Sequence, residues 1–474
     1  MKKKLKITLT LLVLVVLGYF GYTHFKKTSI LLNVIHKDAE SVIKIGVHDI
    51  TKTLVLDAFS SPSYYWKNTK FFKKDKEKDT IKNDGKGVDL RPYSIVLYTI
   101  KNIDNTFFAT FKIDDTDAFK TYISKYSKEK LSAIKTDTNG YKHLVLEKSK
   151  LVLAWNSKRL AVALTTGAPL EKLKTVFKDV LIDEKLISDK DHNFIKKLST
   201  NTEHITYVDK ESIIALNFKD NKAVLSGTVF KKNTDTYKTN TTYSNFTNPS
   251  LHLFFDGNFN HTENKNTFIK RLENSSFLTK NNIEVAQLVE NTSGFLSIGI
   301  NGTTIQTDTI VSYQYDDNFE KVPVKTLQEK SVPKISINLG TNDDKSLKNY
   351  LIKQGAITNN VLTSVPYYIF YAEENSNVTS FKTTKETEAK EEKNSSNFFE
   401  VNVNFNRLKN DVSIPGTDEI FELLEVLKLE ANQIKGTNQI KIKGNLSAKE
   451  EDINIISQLF FGLKERAAKD NSEN

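Results

Sequence analysis

The chain begins with a long apolar run flanked by lysines. Residues 7–25 contain no Lys, Arg, Asp or Glu, and the run approaches the roughly 20 residues that a helix needs to cross a bilayer. Within residues 1–27, four lysines precede the run and two follow it. Because positive charge favours the cytoplasmic side, this pattern predicts a cytoplasmic tip and a single transmembrane anchor in the inner (cytoplasmic) membrane. The rest of the chain is then periplasmic or otherwise extracytoplasmic.

A cleaved secretory signal is the alternative interpretation of this run. Such a signal has an apolar core of about 7–15 residues and a cleavage site of the Ala-x-Ala type. The run observed here is longer, and residues 18–24 contain no such site. We therefore expect an uncleaved anchor, and both interpretations export the remainder of the chain.

Strand-like and helix-like patterns alternate after the anchor. Apolar and polar residues alternate over 41–47, which predicts a half-buried strand, whereas apolar residues recur at helical spacing over 449–464. The predicted organisation along the chain is a tether over 28–41, a first lobe over 42–230, a polar linker or loop over 231–249, a second lobe over 250–464 and a disordered tail over 465–474.

The sharpest local prediction is a β-hairpin at Asn301-Gly302. This pair joins two strand-like segments, 294–300 and 303–315. Asn-Gly readily takes the two positive φ values that a type I′ turn requires. The sequence therefore predicts that the chain reverses direction at these two residues.

The order of elements is similar in the two halves. FATFKIDDTDAFKTYISKY (108–126) and ISINLGTNDDKSLKNYLIKQ (335–354) both run from a strand through an acidic cap into a helix. The segments 213–230 and 426–447 are both predicted strand pairs with a glycine in the second strand. These matches predict an internal duplication. The expected fold is α+β, with an N-terminal transmembrane helix followed by two related lobes of antiparallel sheet, each with helices packed on one side.

Two further blocks follow the predicted anchor, namely VIKIGVHDITKTL (42–54) and GYKHLVLEKSKLVLAWNSKRLAVAL (140–164). With the anchor, they resemble a broad group of uncharacterised, membrane-anchored bacterial envelope proteins with a duplicated α+β ectodomain. The resemblance is best over residues 30–230 and weaker in the second half. It implies an exported α+β architecture, and its motifs contain no catalytic residues.

The net charge of +10 is concentrated in the anchor region. Six of the 68 basic residues lie in 1–27, where there is no acid, so the other 62 face 58 acids and leave a net charge of only +4. Five of the basic residues are Arg, the side chain that binds phosphates and base edges bidentately. This balance argues against specific nucleic-acid binding. The lack of cysteine rules out disulfides, thiolate nucleophiles and a lipid-modified N-terminal Cys.

Of two charged stretches, 66–91 is predicted to be a mobile loop and 373–397 a low-complexity linker or loop. Within the first, residues 67–86 hold eight Lys and four acidic residues. A mixed-sign run is typical of a solvated loop, and contact with anionic lipid head groups or peptidoglycan is the alternative. The aromatic residues 64–66, Phe71 and Phe72 lie at its start, as core residues or as an apolar edge near the membrane.

Patterns typical of catalysis or metal binding are absent from the sequence. The eight histidines form neither an i,i+4 pair nor an HExxH motif. The acidic runs 114–117 and 342–344 lack the Gly and distal Glu of an EF-hand, so we interpret them as helix caps. No phosphate-binding glycine motif or nucleophile elbow occurs. We therefore expect no catalytic, cofactor-binding or metal-binding residues, and no cofactor.

The sequence thus predicts a single-pass, membrane-anchored envelope protein with a non-catalytic binding or scaffolding ectodomain. Its expected partners are the lipid bilayer, through residues 7–25, and an envelope protein or a lipid. One alternative is a carrier or sensor of an apolar ligand such as lipid, which a cavity lined by apolar residues would favour. Another is a hydrolase with a scattered site, which convergent His, Asp or Ser groups would favour.

Overall fold

The computed structural model describes residues 28–463, except 74–86, 89–92, 127–133, 232–236, 238–240, 258, 260–261, 316–318, 343–344, 364, 366, 376 and 386–389. The predicted anchor in 1–27 and the predicted tail over 465–474 therefore lie outside the described residues. In the described part of the chain, no helix has both the length and the apolarity to cross a membrane. The chain divides into two units, Met1–Phe218 and Lys219–Asn474. This division falls inside the predicted first lobe and not at 231–249.

The first unit is built on an antiparallel sheet. Its described strands lie in the order β9-β8-β1-β2-β3-β7-β6-β5-β4. Their bounds are β1 Ala39–Ile45, β2 Ile95–Ile100, β3 Thr106–Lys112, β4 Lys135–Thr136, β5 Lys142–Leu146, β6 Leu151–Trp155, β7 Arg159–Thr165, β8 Ile205–Asp209 and β9 Ile213–Lys219.

Helices cover both faces of this sheet. They are α1 (28–31), α2 Val47–Ser60, α3 Pro62–Lys73, α4 Thr116–Tyr126, α5 Leu170–Leu181 and α6 Asn193–Thr200. Val152 packs in one core cluster with α5 and α6, whereas Leu153 packs in another cluster with α4. Neighbouring residues of a strand point to opposite faces, so the two clusters lie on opposite sides of the sheet. The prediction of helices on one side is therefore wrong for this unit. The helix α3 also occupies the start of the predicted loop 66–91.

The segment predicted as a tether, 28–41, is part of the first core. Leu31 and Ile35 are buried in the same cluster as the helix α5. The main chain of Asn33 donates to the carbonyl of Ile187 at 2.8 Å, and Ile187 donates back to Ile35 at 2.8 Å. A segment with buried side chains and paired main-chain groups is folded structure, so the tether prediction is wrong.

The second unit also has an antiparallel sheet. Its described strands lie in the order β10-β22-β21-β20-β12-β13-β14-β18-β17-β16-β15. The bounds are β10 Lys222–Phe230, β12 Leu251–Asp256, β13 Thr292–Tyr315, β14 Lys321–Thr341, β15 Ile357–Thr358, β16 Val361–Leu362, β17 Tyr371–Asn375, β18 Val378–Lys382, β20 Phe399–Asn404, β21 Leu424–Gln433 and β22 Gln439–Ala448. A separate pair, β11 Thr241–Phe246 and β19 Lys390–Ser395, forms a two-stranded sheet.

The helices of this unit and the β11–β19 pair pack on opposite faces of the sheet. The helices are α7 Thr262–Leu272, α8 Ser276–Lys280, α9 Val285–Glu290, α10 Leu347–Lys353, α11 Phe405–Asp411, α12 Asp418–Leu423 and α13 (455–463). Leu251 packs in a cluster with α11, whereas the neighbouring His252 stacks on Tyr243 of β11. The charged stretch 373–397, predicted to be a loop, contributes to β17, β18 and β19.

The sheets of the two units have matching strand orders. In the first unit, the strands from β8 onward follow the order 8-1-2-3-7-6-5-4, and in the second, those from β20 onward follow 20-12-13-14-18-17-16-15. The segments 108–126 and 335–354 fall on β3–α4 and β14–α10, which hold equivalent places in these orders. The helices differ, because α5 and α6 precede β8 whereas α11 and α12 follow β20.

The helix caps are only partly as predicted. The carboxylate of Asp115 accepts hydrogen bonds from the main chains of Asp117 and Ala118 at 3.0 Å, which confirms the cap of α4. The cap of α10 is instead Ser346, whose hydroxyl accepts from the main chain of Asn349 at 3.0 Å. The predicted capping pair Asp343-Asp344 lies outside the described residues.

Candidate functional site

The predicted hairpin turn at Asn301-Gly302 is wrong, and the pair forms a β-bulge within a continuous strand. Ile300 pairs with Ile335 and Thr303 pairs with Pro333, so two residues of β13 lie opposite one residue of β14. Gly302 has φ +73°, a value that glycine reaches without steric strain. The Asn-Gly pair thus bends the strand instead of reversing it.

Side chains of α11 hold the bulge in place. Arg407 donates from Nη2 to the Asn301 side-chain oxygen at 2.8 Å and from Nη1 to the carbonyl of Asn248. The carboxylate of Asp411 accepts from the main-chain N–H of Gly302 at 2.9 Å. The polar groups of the bulge therefore find hydrogen-bond partners on a helix of the same unit.

Beyond the bulge, β13 and β14 continue as a two-stranded ribbon, which we define as residues 303–315 and 321–333. The two strands pair from Thr303–Pro333 to Tyr315–Lys321. Pairing of β13 with β12 ends at Ile300, and pairing of β14 with β18 begins at residue 336. At about 3.3 Å per residue, the ribbon extends roughly 40 Å. No third strand pairs with it among the described residues.

Only the base of the ribbon is fastened to the unit. Gln306 is buried, and its amide donates to the carbonyls of Ile369 at 2.7 Å and Thr383 at 2.8 Å. Its amide oxygen accepts from the main chain of Ile369 at 2.9 Å. Val332 is also buried there. Farther out, the described side chains are mostly exposed.

One face of the ribbon carries an apolar stripe, which Thr307 and Glu329 interrupt near its base. Directly paired residues of antiparallel strands share a face, so alternate residues of β13 and their partners form one surface. The stripe consists of Ile305, Val311, Tyr313, Tyr315 and Leu327, with Leu327 76% exposed and Tyr313 65% exposed. The opposite face is mainly polar, with Asp308, Ser312, Gln314 and Gln328, although Val322 is exposed on it.

The stripe is the strongest candidate for a binding surface in the described residues. Isolated two-stranded ribbons are at best marginally stable in water. Contiguous exposed apolar surface is typical of protein interaction sites. The sequence pattern of 303–315 correctly indicated a strand. It could not show that no second layer would cover its apolar face.

A cleft in the first unit is a second candidate. It has a volume of about 430 Å³, and its apolar lining includes Leu32, Val34, Phe111 and Ile113. Three cations also line it. Lys112 pairs with Asp114 at 3.0 Å, whereas Arg159 and Lys158 share Glu184 at 2.8 Å and 3.9 Å. The apolar part of this lining suits a small apolar group, and the cations lie at its rim in exposed ion pairs.

The hydrogen bonds of the buried His204 argue against a role in activating a nucleophile. His204 accepts at Nδ1 from the main chain of Phe218 at 2.9 Å, so its proton lies on Nε2, which is 2.9 Å from the hydroxyl of Thr53. A ring nitrogen that carries a proton cannot take one from Thr53, so this pair does not form an activated nucleophile. Burial lowers the pKa of His204, as it does for His36 and His143.

In the second unit, His252 lies under the β11–β19 pair. Its Nε2 is 3.1 Å from the Tyr243 hydroxyl, and the two rings stack. Burial lowers the pKa of His252 to about 4, and burial raises that of Tyr243. Across the described residues, no group of three or more His, Cys, Asp or Glu is placed to hold a metal ion. His261 lies outside the described residues.

Comparisons with family models, with curated proteins and with solved structures find no match for this chain.

Proposed function

We propose that the protein is a single-pass, membrane-anchored envelope protein whose exported part is a non-catalytic binding or scaffolding protein. The apolar run at 7–25, with its excess of lysines before it, supports the anchor and a cytoplasmic N-terminus. The matching strand orders of the two units support an origin by internal duplication. The observation that carries the binding role is the exposed apolar stripe of the ribbon.

The chemistry of the stripe defines the partner that would cover it. Complete burial of a leucine side chain stabilises an association by about 1.5–3 kcal/mol, and most of the Leu327 side chain is available for this. Tyr313 and Tyr315 add large rigid side chains of the kind that dominate protein interfaces. Lys321 and Lys325 share this face. Glu329 also lies on this face, so the charge of the ribbon does not select an acidic or a basic partner. The expected partner is therefore a protein segment with apolar side chains.

Photo-crosslinking at neighbouring positions tests this assignment. A photoreactive amino acid would replace Tyr313 on the stripe in one full-length variant and Gln314 on the opposite face in another. We expect a discrete crosslinked protein from position 313 and none from position 314, because consecutive residues of a strand face opposite sides. Equal products from both positions, or none from position 313, would contradict a binding role for the stripe.

The membrane topology is tested separately. Reporter fusions after residue 30 and at the C-terminus should both report an extracytoplasmic location. A cytoplasmic signal from the C-terminal fusion would overturn the proposed anchor orientation.

A carrier or sensor of an apolar ligand is the second candidate function, and the cleft of about 430 Å³ favours it. Phe111 contributes to the apolar lining, and Phe111→Arg would place a charge there. If the cleft binds an apolar probe such as a fatty acid, this variant should reduce binding of the added fatty acid at least tenfold. An unchanged affinity would remove the cleft as the site.

A further inference from the structure

The helices α2 and α3 form a hairpin that exposes apolar side chains. On α2, exposed residues recur at positions 52, 55, 56 and 59, which lie on one helical face. Three of these are Val55, Leu56 and Phe59, and Phe59 is 79% exposed. On α3, Trp66 is 66% exposed.

Apolar residues lie on both sides of α2, since Ile50 and Leu54 are half-buried while Val55, Leu56 and Phe59 are exposed. Its buried residue is the acidic Asp57, whose carboxylate accepts a hydrogen bond from the Tyr65 hydroxyl of α3. The outward face carries Val55, Leu56 and Phe59 together with the polar residues Thr51 and Lys52. A soluble helix normally turns its apolar face to the core and its charged face to water. The hairpin is therefore suited to an environment other than bulk water.

This hairpin leaves the first unit at the end of the sheet near which residues 32–34 lie. The helix α2 starts directly after β1, whose last residue Ile45 pairs with Ile95, the first residue of β2. Because β2 and β3 are antiparallel, the last residues of β3 lie at the same end of the sheet as the last residues of β1. Residues 32–34 line the cleft together with residues 110–113 from the end of β3. The N-terminal segment and α2 thus lie a few strands apart, or about 10–15 Å at 4.8 Å per strand.

The connection from the predicted anchor to this end of the sheet is very short. The apolar run ends at Phe25, and the described chain begins at Thr28 and enters the core at Leu31. Two residues between Phe25 and Thr28 span at most about 10 Å. A membrane anchor at residues 7–25 would therefore hold this end of the sheet of the first unit close to the bilayer.

We infer that the exposed faces of α2 and α3 lie in the interfacial layer of the bilayer that holds the anchor. Trp66 and Phe59 supply aromatic and apolar side chains of the kind that favour this layer. Lys52 and Lys67 are exposed beside them, where they meet anionic head groups. The inference rests on the proposed anchor and adds a second, peripheral contact with the same membrane.

The two tryptophans of the chain allow a direct test. Trp66 is exposed, whereas Trp155 is fully buried in the first unit. The full chain and its Trp66→Phe variant would be reconstituted into vesicles of a phosphatidylcholine and phosphatidylglycerol mixture, with and without brominated acyl chains. The difference between the two proteins isolates the emission of Trp66 without any substitution in a core.

We expect brominated lipid to quench the Trp66 emission at least about twofold, and dissolved acrylamide to quench it little, because an interfacial indole contacts acyl chains. The emission of the Trp66→Phe variant should be nearly unchanged by brominated lipid. Vesicle flotation provides the check on the anchor. A chain that does not float with the vesicles refutes the anchor, and this inference with it.

Two other results would overturn the inference while leaving the anchor intact. A floating chain whose Trp66 is quenched by acrylamide and not by brominated lipid would place the hairpin in water. A Trp66 that neither agent quenches would place the hairpin against protein, either a partner or a second copy of the chain.

Discussion

Replacement of Ile35 by alanine measures how firmly the N-terminal segment is built into the first unit. Ile35 is fully buried in the same cluster as Val42, Tyr98 and Phe177. The change removes three carbon groups, each worth about 0.8 kcal/mol of transfer free energy. The remaining cavity adds to this loss, so we expect the free energy of unfolding to fall by about 3–4 kcal/mol, within the range for buried Ile→Ala changes.

Urea unfolding of the full chain in mild detergent provides the assay. In a Trp66→Phe background, the fluorescence of the buried Trp155 reports on the first unit alone. With a slope of about 2–3 kcal/mol per molar urea, the midpoint should fall by about 1–2 M. Lys37→Ala is the matched control, since Lys37 is exposed two residues away and its loss should change stability by less than about 0.5 kcal/mol.

Equal midpoints for the two variants would contradict the burial of Ile35. If Ile35→Ala and Lys37→Ala give the same midpoint, Ile35 does not contribute to the core of the first unit. Residues 28–41 would then behave as the tether that the sequence suggested. The short connection to the membrane would disappear with it.

Three further predictions concern the second unit. Gly302→Ala should lower the stability of this unit by about 1–2 kcal/mol because φ is +73° at this position. Gly302→Asn should lower it less, because asparagine tolerates a positive φ better. Equal losses of stability in urea unfolding would contradict the bulge. The His252 imidazole should titrate near pH 4 in NMR spectra. Since the unfolded ring takes up a proton near pH 6.5 and the folded ring only near 4, stability should fall as the pH drops through this window, and a folded midpoint near 6.5 would contradict the burial. Gln306→Ala should cost about 1–3 kcal/mol and speed amide exchange at the ribbon base, whereas Gln314→Ala should do neither.

Much of the strand structure could be predicted from alternation alone. The predicted strand pair in 426–447 corresponds to β21 and β22, because alternating residues there face a core on one side. The hairpin turn predicted at Asn301-Gly302 was wrong because a positive φ is compatible with a bulge as well as with a turn. The sequence does not show which residues of the neighbouring strand lie opposite this pair. The choice depends on the distant side chains of Arg407 and Asp411.

The N-terminal segment shows a different limit of sequence analysis. Leu31 and Ile35 are apolar, but α1 ends at residue 31 and no periodic pattern joins the two residues, so the adjacent anchor made a tether the simpler interpretation. Their burial depends on main-chain pairing with Ile187, which lies about 150 residues later in the chain. The apolar stripe and Phe59 are likewise exposed because no other described helix or sheet packs over them. The periodicity of a sequence shows that a face is apolar, but it does not show whether another element covers that face.

The free edges of the ribbon have a consequence for the behaviour of the protein at high concentration. Unpaired strand edges can join with the edges of other copies and seed aggregates. Lys321 and Lys325 are exposed on the outer part of β14, where like charges on two approaching copies repel each other. Because salt screens this repulsion, crowding and ionic strength together would decide whether the chain stays dispersed. The exposed charges of the ribbon therefore affect the colloidal stability of the protein as well as recognition.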